Sequence, residues 1–429
     1  MDRSIKILAT ADLHLGRSSS NVVGDHASTK FTLQNITQYC IDKNIDVLLL
    51  CGDILDWDNR FFEAYGPLQN AFDQLGQHEV EVYLVAGNHD FSALPQIIKT
   101  GNNSHVHLLG KDETWEVKSF SKYGQTIQFI GWSFARRYVK ESALDTWDAS
   151  ILNPNYPTIG LLHGDIDVHQ SNYGPIRSDD LRHTNIALWI LGHIHRTQKL
   201  LDKPQVWYTG SPQALSAKEP GIHGPLLITI AADQTLEVEQ IPMSPIRYEA
   251  ISIDITGVQT ENELRDKIVY HLDEAAGKLI EELEEVKSLV YQITLVGRSH
   301  LAQEMEDWKK TVIDHQVRLE TGTQISVRRV DTSIRPAISD LNQLAQQSSP
   351  VGILAHTILA IEENRTDEFL EGLIEDWMQQ ITHVNRIGTY SPLNDERKLE
   401  NTSEQAKLAI KAACNRLLGE LLNQVSKAQ

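Results

Sequence analysis

The sequence predicts an α/β fold, a mixed β-sandwich flanked by helices, followed by a small α+β domain and a helical C-terminal region. Three observations predict it. Short apolar runs first alternate with helix-like stretches and then crowd together up to about Ile241, as when parallel strands give way to antiparallel pairing. Pro242-Met243-Ser244-Pro245 then breaks the chain. Beyond about Pro336 no strand pattern recurs. The expected division is residues 1–241, 246–335 and 336–429, and 429 residues are enough for separate cores.

Within the first domain, Ile5–Ala11 reads as a strand and Lys30–Lys43 as a packing helix, with Phe31, Ile36, Tyr39, Cys40 and Ile41 near helical spacing. Asp46–Cys51 and Val80–Ala86 are further strands, with a helix over Phe61–Leu75 between them. The later runs Thr126–Ile130, Ile159–Leu162, Leu188–Leu191, Val206–Tyr208, Leu226–Ile230 and Leu236–Ile241 complete the sandwich. In the second domain Tyr248–Ile255, Leu289–Val296 and Gln324–Val330 read as strands, and Asn262–Glu285 and Leu301–Ile313 as helices. Helices are expected in the tail over Asp340–Ala345, Gly352–Glu363, Thr366–Ile381 and Glu404–Gln424. In the last of these Leu408, Ala412, Leu417, Leu418, Leu421, Leu422 and Val425 recur near 3.6-residue spacing, so that face is expected to be buried, in the tail itself or on a partner.

Composition narrows the function classes. A hydrophobic share of 41% and a charged share of 23% are those of a globular chain, not a disordered one. No apolar run has membrane-spanning or signal-peptide length. Cys40, Cys51 and Cys414 are scattered without a C-x-x-C pair, which argues against a disulfide framework or thiolate zinc site and for a reducing, cytoplasmic setting. The formal charge of -19 weighs against a broadly basic nucleic-acid surface.

Chemistry concentrates at strand ends. Asp12-Leu13-His14 follows the first strand, Gly52-Asp53 the second and Gly87-Asn88-His89-Asp90 the third. His163-Gly164 follows Ile159–Leu162, and Gly192-His193-Ile194-His195 follows Leu188–Leu191. Residues i and i+2 of an extended chain point to one side, so Asp12 with His14, and His193 with His195, can converge. The glycines let the backbone turn and approach closely. Oxygen and imidazole donors without thiolate suit manganese, iron or zinc. Any one of these motifs occurs by chance. Five in this order, each directly after an apolar run, point to a site where Asp53 bridges two metal ions.

The order D-x-H, G-D, G-N-H-D, H-G, G-H-x-H resembles the calcineurin-like metallophosphoesterase superfamily. Tyr208-Thr209-Gly210-Ser211-Pro212-Gln213-Ala214-Leu215-Ser216 with Glu219 resembles the SbcD-type DNA repair exonucleases within it. The resemblance implies that Asp12, His14, Asp53 and His195 hold one divalent metal and Asp53, Asn88, His163 and His193 the other, with Mn2+ the expected ion. It implies that His89 orients the phosphate or protonates the leaving oxygen. Asp90 is placed to orient an imidazole as a carboxylate behind the ligands, or to cap a helix. Arg136 and Arg137 sit where a substrate groove would begin, or in a solvated loop. One departure stands out: Asp56 occupies a position where SbcD-type chains often carry histidine, and a carboxylate there repels a phosphodiester unless it is paired or turned away. His169 is expected to be exposed, and His105 and His107 to be surface histidines.

The family's second domain caps the active site and touches duplex DNA. From Arg247 to Arg335 this chain has 12 Lys/Arg against 17 Asp/Glu, so its basic residues are local clusters at Lys309-Lys310, Arg328-Arg329 and Arg335. Weak DNA affinity by the isolated chain is expected. The resemblance further implies docking of an SbcC-like ATPase on the C-terminal helices, and a homodimer. The expected function is a two-metal phosphodiesterase that cleaves DNA at or near ends. The rivals are a phosphoesterase for a nucleotide or other small phosphodiester, and a scaffold that mainly binds the ATPase. A phosphoprotein phosphatase fits less well, because its G-D-x-x-D-R-G requires arginine where Trp57 stands.

Overall fold

The structure is a computed structural model that describes residues 4–57, 63–101, 103–299, 316–319, 322–336, 341–386 and 401–427. The helix expected over Leu301–Ile313, with Lys309-Lys310, lies outside the described residues. The strands of the sandwich are β1 (Ile5–Thr10), β2 (Val47–Cys51), β3 (Glu81–Val85), β4 (Val106–Leu108), β5 (Glu116–Lys122), β6 (Gln125–Gly131), β7 (Thr158–His163), β8 (Leu188–Gly192), β9 (Gln198–Asp202), β10 (Gln205–Tyr208), β11 (Leu226–Ile230) and β12 (Leu236–Gln240). They form two sheets, in the orders β12-β11-β1-β2-β3-β4 and β5-β6-β7-β8-β10-β9. β1 to β4 pair in parallel, as do β6-β7-β8-β10, while β11, β12, β5 and β9 add antiparallel edges.

Strand periodicity decides the layers. Ile5, Ile7 and Ala9 of β1, Val47, Leu49 and Cys51 of β2, and Tyr83 and Val85 of β3 pack with Ile127, Phe129, Ile159, Leu161, Leu188 and Ile190 of the other sheet. The alternate residues Leu8, Leu48, Leu50, Val82 and Leu84 pack with apolar residues of α1 (Thr29–Asp42), α2 (Tyr65–Gln77) and α3 (Leu94–Thr100). Both faces of β1–β3 are therefore buried, which is why these strands read as unbroken apolar runs. α1 starts where Ser28 accepts a hydrogen bond from Lys30 N–H, and it buries Leu33, Ile36 and Cys40. The outer face of the second sheet carries Trp132, Phe134, Trp189, Leu191 and Tyr208, covered by loops and the short α4 (Ser178–Leu181). The mixed β-sandwich flanked by helices is thus as the sequence predicts.

Past the prolines, β13 (Ile246–Asp254), α5 (Glu261–Lys278), β14 (Ser288–Ser299), β15 (Gln316–Arg318) and β16 (Gln324–Pro336) give a third sheet in the order β13-β14-β16-β15. α5 buries Leu264, Ile268 and Leu272 at four-residue spacing. The tail holds α6 (Leu341–Ala345), α7 (Pro350–Glu362), α8 (Glu368–Arg386) and α9 (Ser403–Lys427). By contacts the chain divides into two compact units, one of Met1–Ile251, Glu274–Gln292 and Ile313–Arg329, the other of Ser252–Asp273, Ile293–Val312 and Val330–Gln429.

The buried stripe of α9 is Ala406, Ile410, Cys414 and Leu418, with Leu422 packed beside it, against Ala355 and Ile358 of α7 and Leu370 and Ile374 of α8. Of the residues expected on this face, Leu418 and Leu422 join the core. Leu408 is 56% exposed and Leu417 43% exposed, and Ala412 is also exposed. The Val425 side chain lies outside the described residues. Small residues, Ala406 and Cys414, mark the true seam because neighbouring helices approach them closely. A leucine count points elsewhere.

Candidate metal centre

The carboxyl ends of β1, β2, β3, β7 and β8 meet at one rim of the sandwich, and there the chain departs from regular strand geometry. Asp12 (φ 52°), His14 (φ 45°), Asp53 (φ 51°) and His193 (φ 100°) all have positive φ. Non-glycine residues adopt this region at a cost of about 1–3 kcal/mol each, and such strain collects where function over-determines the backbone. Backbone bonds hold the bends: Asp12 N–H donates to Gly52 O at 3.0 Å, and His14 N–H to Asp53 O at 3.0 Å. A Cβ on Gly52 would collide with the His163 ring, and one on Gly192 with Cys51 O. The two glycines thus let the two sheets close on one point.

Ligand-type atoms of Asp12, His14 and His195 converge, as do those of His14, Asp53 and His89, and those of Asp53, His163 and His193. Asn88, the remaining expected ligand, places Oδ1 3.1 Å from His163 Nε2. The protein therefore brings all seven expected ligands together. His89, expected only to handle substrate, stands with His14 and Asp53; its side chain is 28% exposed, the access a substrate-facing group needs.

The hydrogen-bond partners orient these rings. His163 Nδ1 lies 2.9 Å from Cys51 O, a carbonyl that only accepts, so this nitrogen carries the proton. The other ring nitrogen, Nε2, is thereby directed at two oxygens, Asn88 Oδ1 at 3.1 Å and Asp53 Oδ2 at 3.4 Å. His195 Nδ1 lies 2.9 Å from Glu219 Oε1, which fixes a proton there and turns Nε2 inward. His195 Nε2 lies 3.2 Å from His14 Nε2, while His14 Nδ1 lies 3.4 Å from Asp56 Oδ1. Carboxylate, imidazole and amide oxygen are a donor set for divalent metals, so the residues present fit such ions.

The titration behaviour agrees. Burial alone would lift the Asp53 carboxyl, but the His163, His14 and His89 rings together hold it well below the usual carboxylate range. Burial disfavours the His163 imidazolium, yet Asp53 and Asp12 hold its pKa well above that of a free imidazole. Burial likewise opposes ionisation of Glu219, but the His195 ring and the Leu215 N–H bring its pKa below the ordinary value.

Other expected residues fall into place around this cluster. Asp90 is fully buried and fastens backbone: its Oδ1 accepts from Gly87 N–H at 2.7 Å and its Oδ2 from Ile54 N–H at 2.6 Å. It ties together the two turns that carry Asp53 and Asn88, where the sequence suggested an imidazole partner or a side-chain cap on α3. Burial and the Asp53 charge push its carboxyl upward. Asp56 is 8% exposed and turned inward, 3.4 Å from His14 Nδ1, 3.8 Å from His89 Nδ1 and 4.0 Å from Arg17 Nε. The carboxylate is paired with rings and does not face outward against a substrate.

Arg136 and Arg137 differ. Arg136 is held by Glu113 at 3.0 Å and Glu141 at 2.9 Å. Arg137 lies over the Trp57 ring at 4.7 Å. His169 is exposed. His105 and His107 are half-buried, with partners in Phe72 O and Glu81 at 2.8 Å each. Asp165, 3.4 Å from His193 Nε2, and Tyr173, its ring 5.0 Å from that of His193, were not anticipated. The first lies two residues beyond His163 in a polar loop, and the second carries no motif.

Residues 5–197 match the Calcineurin-like phosphoesterase family. The uncharacterized metallophosphoesterase YhaO of Bacillus subtilis is 30% identical over 235 residues, 53% of this chain and 56% of that protein. The DNA double-strand break repair protein Mre11 of Methanopyrus kandleri is 22% identical over 294 residues, 62% of each chain. The chain thus spans 56% and 62% of the length of these two relatives. Among solved structures, a dimetal phosphatase from Danio rerio matches 55% of this chain and 98% of its own, at 12% identity and a TM-score of 0.33. Residues 5–197, the stretch similar to calcineurin-like phosphoesterases, contain every residue of the Asp/His cluster.

Proposed function

We propose that this protein is a two-metal phosphodiesterase that cleaves DNA at or near ends. Asp12, His14, Asp53 and His195 would hold one ion, and Asp53, Asn88, His163 and His193 the other. The observation that carries the reading is the convergence of Asp12, His14 and His195 at one point and of Asp53, His163 and His193 at another, with Asp53 also beside His14 and His89. The chemistry that such ions, with Mn2+ the ion proposed, would supply is activation of a water and neutralisation of charge on the phosphate.

The chain's own residues do the rest. Glu219 and Cys51 O fix the tautomers of His195 and His163 so that Nε2 faces inward. Asp53 accepts from His89 N–H at 2.8 Å, which sets the turn that presents the His89 ring at the mouth. That ring lies 3.9 Å from Asp53 Oδ2 and 3.8 Å from Asp56 Oδ1; burial lowers its pKa, and the two carboxylates offset only part of that. By position, at the partly exposed mouth, His89 is the group that would contact the phosphate or its leaving oxygen.

DNA as substrate is supported by the similarity to the Mre11 repair protein and by the Tyr208–Ser216 stretch, whose Gln213 and Tyr208 are buried and hydrogen-bonded beside the site. A second reading, a phosphodiesterase for small nucleotides, is favoured by the net charge of -19. An SbcC-like ATPase docked on the C-terminal helices, and a second copy of the chain, would add basic surface to this acidic chain. The three free, buried cysteines fit a reducing cytoplasmic setting.

The test is incubation with Mn2+ and labelled linear duplex, closed hairpin DNA and a generic phosphodiester, with and without the candidate ATPase. Cleavage of the duplex or hairpin supports the proposal. Activity on the small ester alone refutes DNA as substrate.

A further inference from the structure

An arc of aromatic rings leaves the metal centre on one side. Tyr173 leans on His193, and the Tyr138 ring lies 5.8 Å from that of Tyr173. The Arg137 guanidinium lies 5.4 Å from the Tyr138 ring and 4.7 Å from that of Trp57. Trp57 in turn stacks on Phe91 at 5.9 Å and 26°. Both ends of the arc adjoin the site, since Tyr173 lies against His193 and Phe91 comes two residues after His89. The loops that carry it are tied by Val139 N–H to Asn172 O at 2.9 Å and Gly174 N–H to Val139 O at 2.8 Å.

Two features exceed what packing requires. Tyr138 is 50% exposed although its neighbours in the arc are covered further. Arg137 Nε is buried without a hydrogen-bond partner, and among the described residues the guanidinium meets rings only, while the adjacent Arg136 is satisfied by two carboxylates. Aromatic faces beside a guanidinium with an unused donor are what an unstacked base and its phosphate require.

We propose that Tyr138, Arg137 and Trp57 form a nucleotide subsite that takes an unpaired base next to the phosphate to be cut. This rests on the phosphodiesterase reading and narrows its substrate to nucleic acid with a single-stranded or frayed end. It also accommodates the acidic chain. Affinity comes from stacking and one phosphate contact, so no broad basic surface is needed.

The full chain is titrated in EDTA against three fluorescein-labelled probes of equal length: oligothymidylate, an abasic deoxyribose-phosphate chain and a blunt duplex. Oligouridylate distinguishes ribose from deoxyribose substrates. Tyr138→Ala is expected to weaken oligothymidylate about tenfold and to leave the abasic chain unchanged. Arg137→Gln is expected to weaken both. Tyr156→Ala, at an exposed tyrosine outside the arc, serves as control. Oligothymidylate affinity should fall with log salt at a slope of about -0.7, one phosphate contact. Wild-type affinity in Tyr138→Ala, or equal affinity for the abasic and base-bearing chains, overturns the proposal. Hydrolysis of bis(p-nitrophenyl) phosphate with Mn2+ is scored separately, so that loss of the catalytic reading is distinguishable from loss of the subsite.

Discussion

Glu219→Gln isolates the contribution of a residue that is expected to touch no metal. The side chain is 17% exposed, its Oε1 accepts from His195 Nδ1 at 2.9 Å, and its Oε2 accepts from Leu215 N–H at 2.7 Å. Glutamine keeps the size but offers one oxygen to two donors and removes the charge that favours the His195 orientation. Loss of one charge-assisted hydrogen bond costs about 1.5–3 kcal/mol, roughly a 10- to 150-fold change in an equilibrium constant. Removal of a carboxylate behind a ligating histidine typically costs about 10–100-fold in metal affinity, so the two routes agree. Isothermal titration of Mn2+ into EDTA-stripped protein should show the site that uses His195 weakened by about 10–100-fold, with the circular dichroism spectrum unchanged. An affinity within twofold of wild type would refute the reasoning that Glu219 sets the His195 tautomer.

Gly192→Ala forces a methyl group against Cys51 O and the His163 ring; it should cost about 1–3 kcal/mol in denaturant unfolding and reduce metal occupancy. His89→Asn should slow turnover of a phosphodiester about 100-fold or more while bound metal stays at the wild-type level; loss of metal instead would make His89 a ligand. Leu418→Ala should destabilise the helical tail by about 2–5 kcal/mol, whereas Leu408→Ser should change it by about 0.5 kcal/mol or less, because only Leu418 is buried. Proteolysis or hydrogen exchange of the tail would read both.

Much of the sandwich was legible because β1–β3 are buried on both faces, so their apolar runs stop abruptly at the turn that carries each acid or imidazole. Edge strands gave no such signal. β5 buries only Phe120 and β9 is largely exposed, so neither carries an apolar pattern. Within the site, Asp12, His14, Asp53, Asn88, His163, His193 and His195 were legible from order and spacing. The carboxylates behind them were not. Glu219, which is 24 residues from His195, stood out only as part of the Tyr208–Ser216 stretch, and Asp56 suggested repulsion of substrate where the fold turns it toward His14 and His89. Pairings made by folding across such distances leave no local periodicity. The α9 seam failed for a related reason, since close helix packing selects Ala406 and Cys414 over larger residues.

The central claim is that Asp53 bridges two metal ions, and electron paramagnetic resonance of protein loaded with two equivalents of Mn2+ tests it most directly. Wild type should give the broad signal of an exchange-coupled pair, and Asp53→Asn should lose it. An uncoupled six-line spectrum from the fully loaded wild type, or a coupled pair that survives Asp53→Asn, would contradict the account.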